Sequence, residues 1–294
     1  MRVIERHGDG RIATVYVAET GGGRIEFAES VQPPAPLSDK WVLIISCMIG
    51  CPVRCLMCDA GRRCAGLLTK EQMLEQIDYM VLTRFPDRCV PVKKFKVQFT
   101  RMGEPAFNPA VPDVLEELPA KYRAPGLIPS VSTVAPMHCQ KFLARLADTK
   151  RRLYSGGRFQ LQFSIHTTDV SRRDELIPIR KLSFAEIAEF GGRFFEPGDR
   201  KITLNFVVMN GYPIDPSLLR RIFDPSRFLI KLTPLNPTRA AGKNALSTAL
   251  DPNDETSVTE LVSNMRSCGF ETLVSIGALE ENAIGSNCGQ YVSA

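Results

Sequence analysis

Six short apolar segments, each separated from the next by a helical pattern, limit what this chain can fold into more than any other feature. Strands are predicted at Val42–Ser46, Phe95–Phe99, Ser130–Thr133, Phe159–Ile165, Ile202–Val208 and Phe228–Leu232. A helix is predicted over Thr69–Phe85, where Thr69 and Gln72 form a capping box ahead of Met73, Ile77, Met80 and Val81. Others are predicted near 110–121, 138–154, 183–195 and 215–223. Serial β-α units imply an α/β fold with a parallel sheet. Three strands alternate cleanly. Phe159, Leu161, Phe163 and Ile165 share one face, against Gln160, Gln162, Ser164 and His166. The same split sets Phe95/Val97/Phe99 against Lys94/Lys96/Gln98/Thr100, and Ile202/Leu204/Phe206/Val208 against Thr203/Asn205. The apolar face packs against helices, and the other face lines an interior. A closed eight-stranded barrel fills its interior with branched apolar side chains. A polar inner face on about six strands instead implies an open, partial barrel with a wide cavity. The helices between the strands disfavour an antiparallel sheet with one wet face.

Ahead of this region, RIATVYVAE and RIEFAE read as a β-hairpin turned at Gly21-Gly22-Gly23, followed by the proline-containing linker VQPPAPLSDK. The expected organisation is a small N-terminal β-hairpin extension and linker over 1–39 and a main domain over 40–294. The chain's 294 residues, 44% hydrophobic and 23% charged, suffice for a full core. The longest apolar stretch, Trp41 to Cys51, falls short of the roughly 18 residues of a membrane span, and the N-terminus carries no apolar run of signal-peptide type. A soluble, cytoplasmic protein with no membrane partner is expected. The net charge of +5 is mild. Its basic groups, Arg62-Arg63, Lys93-Lys94 and Lys150-Arg151-Arg152, read as solvated faces, so charge alone does not select nucleic acid.

Of nine cysteines, Cys47, Cys51, Cys55, Cys58 and Cys64 fall close together. In a cytosolic chain such clustering reads first as metal or catalytic chemistry. Cys51-Pro-Val-Arg-Cys55-Leu-Met-Cys58 has C-x3-C-x2-C spacing directly after a predicted strand. Three thiolates on one loop can hold three irons of a cubane and leave the fourth iron open. A zinc site would need a fourth closed ligand, which Cys47 or Cys64 could supply.

A C-x3-C-x2-C loop after the first strand of a partial (β/α)6 barrel resembles the radical SAM superfamily. There a [4Fe–4S] cluster binds S-adenosylmethionine (SAM) at its open iron and cleaves it to methionine and a 5′-deoxyadenosyl radical. The chain further resembles the class A (RlmN/Cfr-like) adenine-C2 RNA methyltransferases. The resemblance rests on Met102-Gly103-Glu104-Pro105 with Asn108, Ser130-Val131-Ser132-Thr133, Phe163-Ser164-Ile165-His166, Arg173 to Ile179, Pro234-Leu235-Asn236-Pro237 and Ser286-Asn287-Cys288-Gly289-Gln290, in the family's order. It implies Cys51, Cys55 and Cys58 as cluster ligands, Gly103 and Glu104 at the SAM ammonium, and Ser132 and Asn236 at its ribose and methionine parts. It also implies Ser164 and His166 on its adenosine side, Met57 near its adenine, and an electron donor such as flavodoxin or ferredoxin.

By the same resemblance Cys288 is the catalytic cysteine that accepts a methyl group from one SAM and delivers the carbon to an sp² carbon. Two departures stand out. The family's second catalytic cysteine, which resolves the covalent adduct, corresponds to Ile44, and a glutamate facing the RNA base is replaced by Ile12-Ala13-Thr14. The helical RNA-binding domain that precedes this strand in the RNA methylases is also not found. The expected activity is therefore methyl or methylene transfer through Cys288 to a carbon of a small or medium-sized, non-rRNA substrate. Alternatives are an epimerase or isomerase using Cys288 as hydrogen-atom donor, an RNA adenine methyltransferase, and a non-catalytic metal-binding scaffold.

Overall fold

The computed structural model describes residues 1–31, 35–62, 64–251, 253–277, 279–286 and 291–292; Cys288 lies outside the described residues. The strands are β1 (Arg2–His7), β2 (Ala13–Thr20), β3 (Gly23–Ser30), β4 (Lys40–Ile45), β5 (Met48–Gly50), β6 (Cys64–Leu67), β7 (Lys94–Phe99), β8 (Leu127–Thr133), β9 (Gln160–Ser164), β10 (Ile202–Val207), β11 (Phe228–Thr233) and β12 (Thr272–Val274). Ten form one mixed sheet in the order β1-β2-β3-β4-β7-β8-β9-β10-β11-β12, and β5 pairs with β6 alone. Pairing is antiparallel from β1 to β4 and parallel from β4 to β12. All six predicted core strands are present. The N-terminal segment differs from the expected two-stranded hairpin: β1 adds a third strand, and β3 pairs with β4, so the main sheet continues through it.

The helices α1 (Lys70–Arg84), α2 (Val111–Lys121), α3 (Gln140–Leu153), α4 (Val170–Leu176), α5 (Phe184–Phe194), α6 (Pro216–Ile222), α7 (Arg239–Lys243), α8 (Thr259–Ser267) and α9 (Leu279–Ile284) fall between or after the strands. The capping box forms as the sequence predicts, with Thr69 and Gln72 each bonded to the other's backbone. On α1, Met73, Leu74, Ile77, Met80 and Val81 are buried. On the sheet, Trp41, Leu43, Phe95, Val97, Phe163, Leu204, Phe206, Ile230 and Leu232 are fully buried, each contributing roughly 1.5–3 kcal/mol. One basic group departs from expectation. Lys150 is 1% exposed, ion-paired with Asp199 (2.5 Å) and Glu196 (2.8 Å), so its charge is neutralised inside rather than solvated.

The other face of the sheet is polar and concave. Ile44, Gln98, Ser132, Gln162, Asn205 and Lys231, from six successive parallel strands, line one cavity of about 430 Å³. A buried glutamine ties this face to α1: Gln76 Oε1 accepts from Ser46 N (2.9 Å) and its Nε2 donates to Ser46 O (3.0 Å). The chain leaving β4 toward the cysteines is thereby fixed in direction.

Candidate active site

The cysteine loop is held from three sides by groups distant in sequence. Leu56 N donates to Leu176 O at the end of α4 (3.0 Å). Thr238 Oγ1 donates to Met57 O (2.8 Å), and Asn244 Nδ2 to Leu56 O (2.8 Å). The buried Asp59 carboxylate accepts from Ala240 N (2.8 Å) and Arg239 N (3.2 Å). Ahead of the loop, Cys47 N and Met48 N both donate to Met102 O, and Asn108 Nδ2 bridges Cys47 O (2.7 Å) and Leu68 O (2.8 Å). Arg54 sits in the left-handed region at φ 56°, a conformation that costs a non-glycine residue energy and recurs at sites where surrounding contacts impose it.

Cys51, Cys55 and Cys58 all open onto the cavity, as does Met57. Burial pushes the Cys51 thiol up to about 12 and raises that of Cys55 well above its ordinary value. A thiol in such surroundings gives up its proton only when a cation binds it directly. Among the described residues no three His, Cys, Asp or Glu side chains are gathered at metal-binding spacing, so the thiols share a wall of the cavity and are not a preformed chelate. Cys47 faces away: its buried Sγ contacts Met102 O at 3.6 Å. Cys64 is exposed on β6. Ile44 also lines the cavity.

The segment after β7 supplies a polar ledge. Gly103 adopts φ +102°, and a Cβ there would lie 2.6 Å from Met48 Cβ and 2.9 Å from Cys47 Sγ, so only glycine lets this turn pack on the cysteine strand. Glu104 is buried. Its Oε1 accepts from Ala106 N (3.0 Å) and Thr133 Oγ1, and its Oε2 from Val134 N (2.9 Å). A carboxylate offers about four acceptor sites, so these three donors leave room for one more. Burial pushes its carboxyl up to about 7 against those hydrogen bonds.

Ser132 on β8, Ser164 at the end of β9, His166 just past it and Asn236 beyond β11 line the same cavity. His166 is buried at φ 66° and its Nδ1 accepts from Val207 N (3.1 Å), an arrangement that assigns the ring proton to Nε2. Burial, reinforced by Arg173, lowers its basicity to about 3, so the ring is neutral at physiological pH. These ends of parallel strands are where α/β folds place ligands.

Sequence reasoning missed the buried pair Glu26–Arg101. Arg101, 1% exposed, donates to Glu26 Oε2 (2.5 Å), Gly285 O (2.7 Å) and Ser286 O (2.6 Å). Glu26, 0% exposed, accepts at Oε1 from Tyr291 N (2.7 Å) and Val292 N (2.5 Å). The described residues on both sides of 287–290 are thus tied to one ion pair at the edge of the cavity.

No family model matches the chain. It is 24% identical over 206 residues to the probable dual-specificity RNA methyltransferase RlmN of Synechococcus sp., covering 69% of this chain and 58% of the relative. It is 30% identical over 208 residues to the dual-specificity RNA methyltransferase RlmN of Geobacter sulfurreducens, covering 68% and 53%. The chain therefore spans little more than half the length of these curated relatives. Among solved structures, a radical SAM methyltransferase from Sphaerobacter thermophilus matches with a TM-score of 0.75 at 19% identity, over 100% of this chain and 81% of that one, a likeness of fold.

Proposed function

We propose that the chain, which is similar to RlmN-type RNA methyltransferases over part of their length and to a radical SAM methyltransferase in fold, is a methyltransferase-like radical SAM enzyme acting on a carbon of a small or medium-sized substrate. The observation that carries this reading is the convergence of three cysteines from one loop with Glu104, Ser132, Ser164, His166 and Asn236, from separate strand ends, on one cavity. In this reading residues 40–294 form a partial (β/α)6 barrel with 1–39 as an extension of its sheet. Cys51, Cys55 and Cys58 would hold a [4Fe–4S] cluster, and the ledge of Gly103 and Glu104 would receive the SAM amino group in a charge-assisted bond. When bound, that cofactor pair supplies the electron and the radical precursor for hydrogen abstraction. The protein's own part is to orient, to exclude water, and to keep His166 neutral. An electron donor of flavodoxin or ferredoxin type and a cytoplasmic setting belong to the same proposal; among the described residues no helix is long and apolar enough to cross a membrane.

Cys288 is the proposed methyl acceptor. Its thiol takes a methyl group from SAM and loses its proton, leaving a thioether and S-adenosylhomocysteine. Ile44 lines the cavity where a resolving thiol would be needed, which is the ground for a substrate other than an RNA adenine. A second reading, methylation of RNA, is favoured by the relatives' names, and an RNA adenine would be its target. Protein expressed with SAM available is expected to carry one added methyl group on the peptide containing Cys288, read by mass spectrometry. Unmodified Cys288 under turnover with SAM would overturn methyl transfer. One deuterium gained at carbon by product formed in D2O would then assign hydrogen-atom donation in its place.

A further inference from the structure

Four lysines, Lys40, Lys94, Lys96 and Lys231, lie on the inner face of the sheet, and the last of them lines the cavity. Lys40 at the start of β4 pairs in register with Lys94 at the start of β7, and Lys96 lies two residues further along the same face. Neighbouring strands are about 4.8 Å apart, so these three side chains crowd together. Lys231, four strands along the sheet, lines the cavity itself. Lys96 and Lys231 are mostly buried. Among the described residues, none of the four ammonium groups has a carboxylate within 4.0 Å. The contrast is sharp with Lys150 and Lys181, whose buried ammonium groups each have a carboxylate within 3 Å.

The charged groups facing Lys96 are Lys94 on its own strand, Lys40 on β4, Lys231 on β11 and Arg200 ahead of β10. Among the described residues the acid that reaches this group is Glu281 of α9, which acts on Lys40 and accepts from Ser30 Oγ (2.9 Å). Several cations against one acid, in a recess partly closed to water, repel one another at low effective dielectric. Burying a charge is costly unless it is paired. A sequence that needed only to fill this space would use apolar or amide side chains, as at Ile128 and Gln160. What offsets the cost is an anion.

We infer that Lys96 and Lys231, backed by Lys40 and Lys94, form an anion subsite that holds the phosphate or carboxylate group of a small substrate, leaving its reacting carbon toward the cysteine wall. This rests on the reading of the cavity as the substrate site, and it names the substrate's chemical class. A recess of about 430 Å³ that is open on one side can admit an anionic small molecule to these lysines.

Sulfate is the suitable probe because it stays doubly charged from pH 6 to 8, so any pH dependence belongs to the protein. Burial together with the neighbouring cations lowers Lys96 to about 7. Its charge is therefore gained as the pH falls through that value. Reconstituted protein titrated calorimetrically at constant ionic strength is expected to bind sulfate more tightly at pH 6 than at pH 8. Lys96→Gln and Lys231→Gln should each weaken binding about tenfold or more, and Lys96→Gln should also flatten the pH dependence. Lys141→Gln, removing an exposed lysine of α3, should change nothing. Lys96→Arg should restore binding, and because the substitution relieves repulsion, Lys96→Gln should melt no lower than wild type in the absence of sulfate.

A malonate arm separates the sources: tighter malonate binding assigns a carboxylate substrate, tighter sulfate binding a phosphate-like one. Equal sulfate affinity in wild type and Lys96→Gln, or none in wild type, overturns the subsite. Displacement of sulfate by a short single-stranded RNA at matched phosphate concentration overturns the small-molecule assignment. Reductive SAM cleavage by the wild type is scored separately. Sulfate binding without 5′-deoxyadenosine would sink the radical reading and leave the anion site standing, and the reverse result would do the opposite.

Discussion

Replacing any one of Cys51, Cys55 and Cys58 by alanine is expected to abolish stable iron binding and SAM cleavage together. These thiols open onto one cavity from a single loop, and with three protein ligands on a cubane the loss of one removes a third of its coordination. Cys47→Ala and Cys64→Ala should keep near wild-type iron. The first thiol is directed to Met102 O and the second is exposed on β6, and a fourth thiolate would occupy the iron that SAM requires. Iron and sulfide analysis of the five anaerobically reconstituted variants checks this. If Cys47→Ala or Cys64→Ala lost the metal while Cys55→Ala kept it, the ligand assignment would be wrong.

Arg101→Met is expected to destabilise the protein by about 3–5 kcal/mol, because it leaves the Glu26 carboxylate buried without its partner. The side chains are 1% and 0% exposed. The same change removes the donors to Gly285 O and Ser286 O. Urea unfolding at pH 7 measures the loss as a fall in midpoint at unchanged slope. Arg101→Met combined with Glu26→Gln should cost less than Arg101→Met alone, since the stranded charge is then gone. An unfolding free energy for Arg101→Met within about 0.5 kcal/mol of wild type would mean that the pair is not buried as described.

The parts of the fold legible in the sequence are those with a long enough period. Phe159 to Ile165 and Ile202 to Val208 alternate over seven residues, so their strands and faces were readable, and Thr69 with Gln72 marked the start of α1. β12 offers only Thr272–Val274, too short for a period to register, and β1 reads Arg-Val-Ile-Glu-Arg-His, with adjacent apolar residues and no alternation. α4 and α7 are seven and five residues long, held in place by tertiary bonds to the cysteine loop.

The candidate site divides the same way. Cys51, Cys55 and Cys58 are neighbours in the chain, and their spacing is itself the signal. Glu26 and Arg101 are 75 residues apart, and Asp59 meets Ala240 across 181, so no local pattern announces either contact. Lys93 and Lys94 show why a charge run is a weak guide. Lys93 is exposed and pairs with Asp39 at 2.8 Å, whereas Lys94 turns to the inner face because strand geometry sends successive side chains to opposite sides.

The central claim is that this loop and cavity cleave SAM by electron transfer. The direct measurement is 5′-deoxyadenosine, quantified by chromatography after the wild-type protein is reconstituted anaerobically with iron and sulfide, mixed with SAM and reduced with dithionite. The account predicts 5′-deoxyadenosine and methionine in equal amounts, formed only when iron, SAM and reductant are all present. Protein that holds a full complement of iron and sulfide yet forms no 5′-deoxyadenosine on reduction would contradict it.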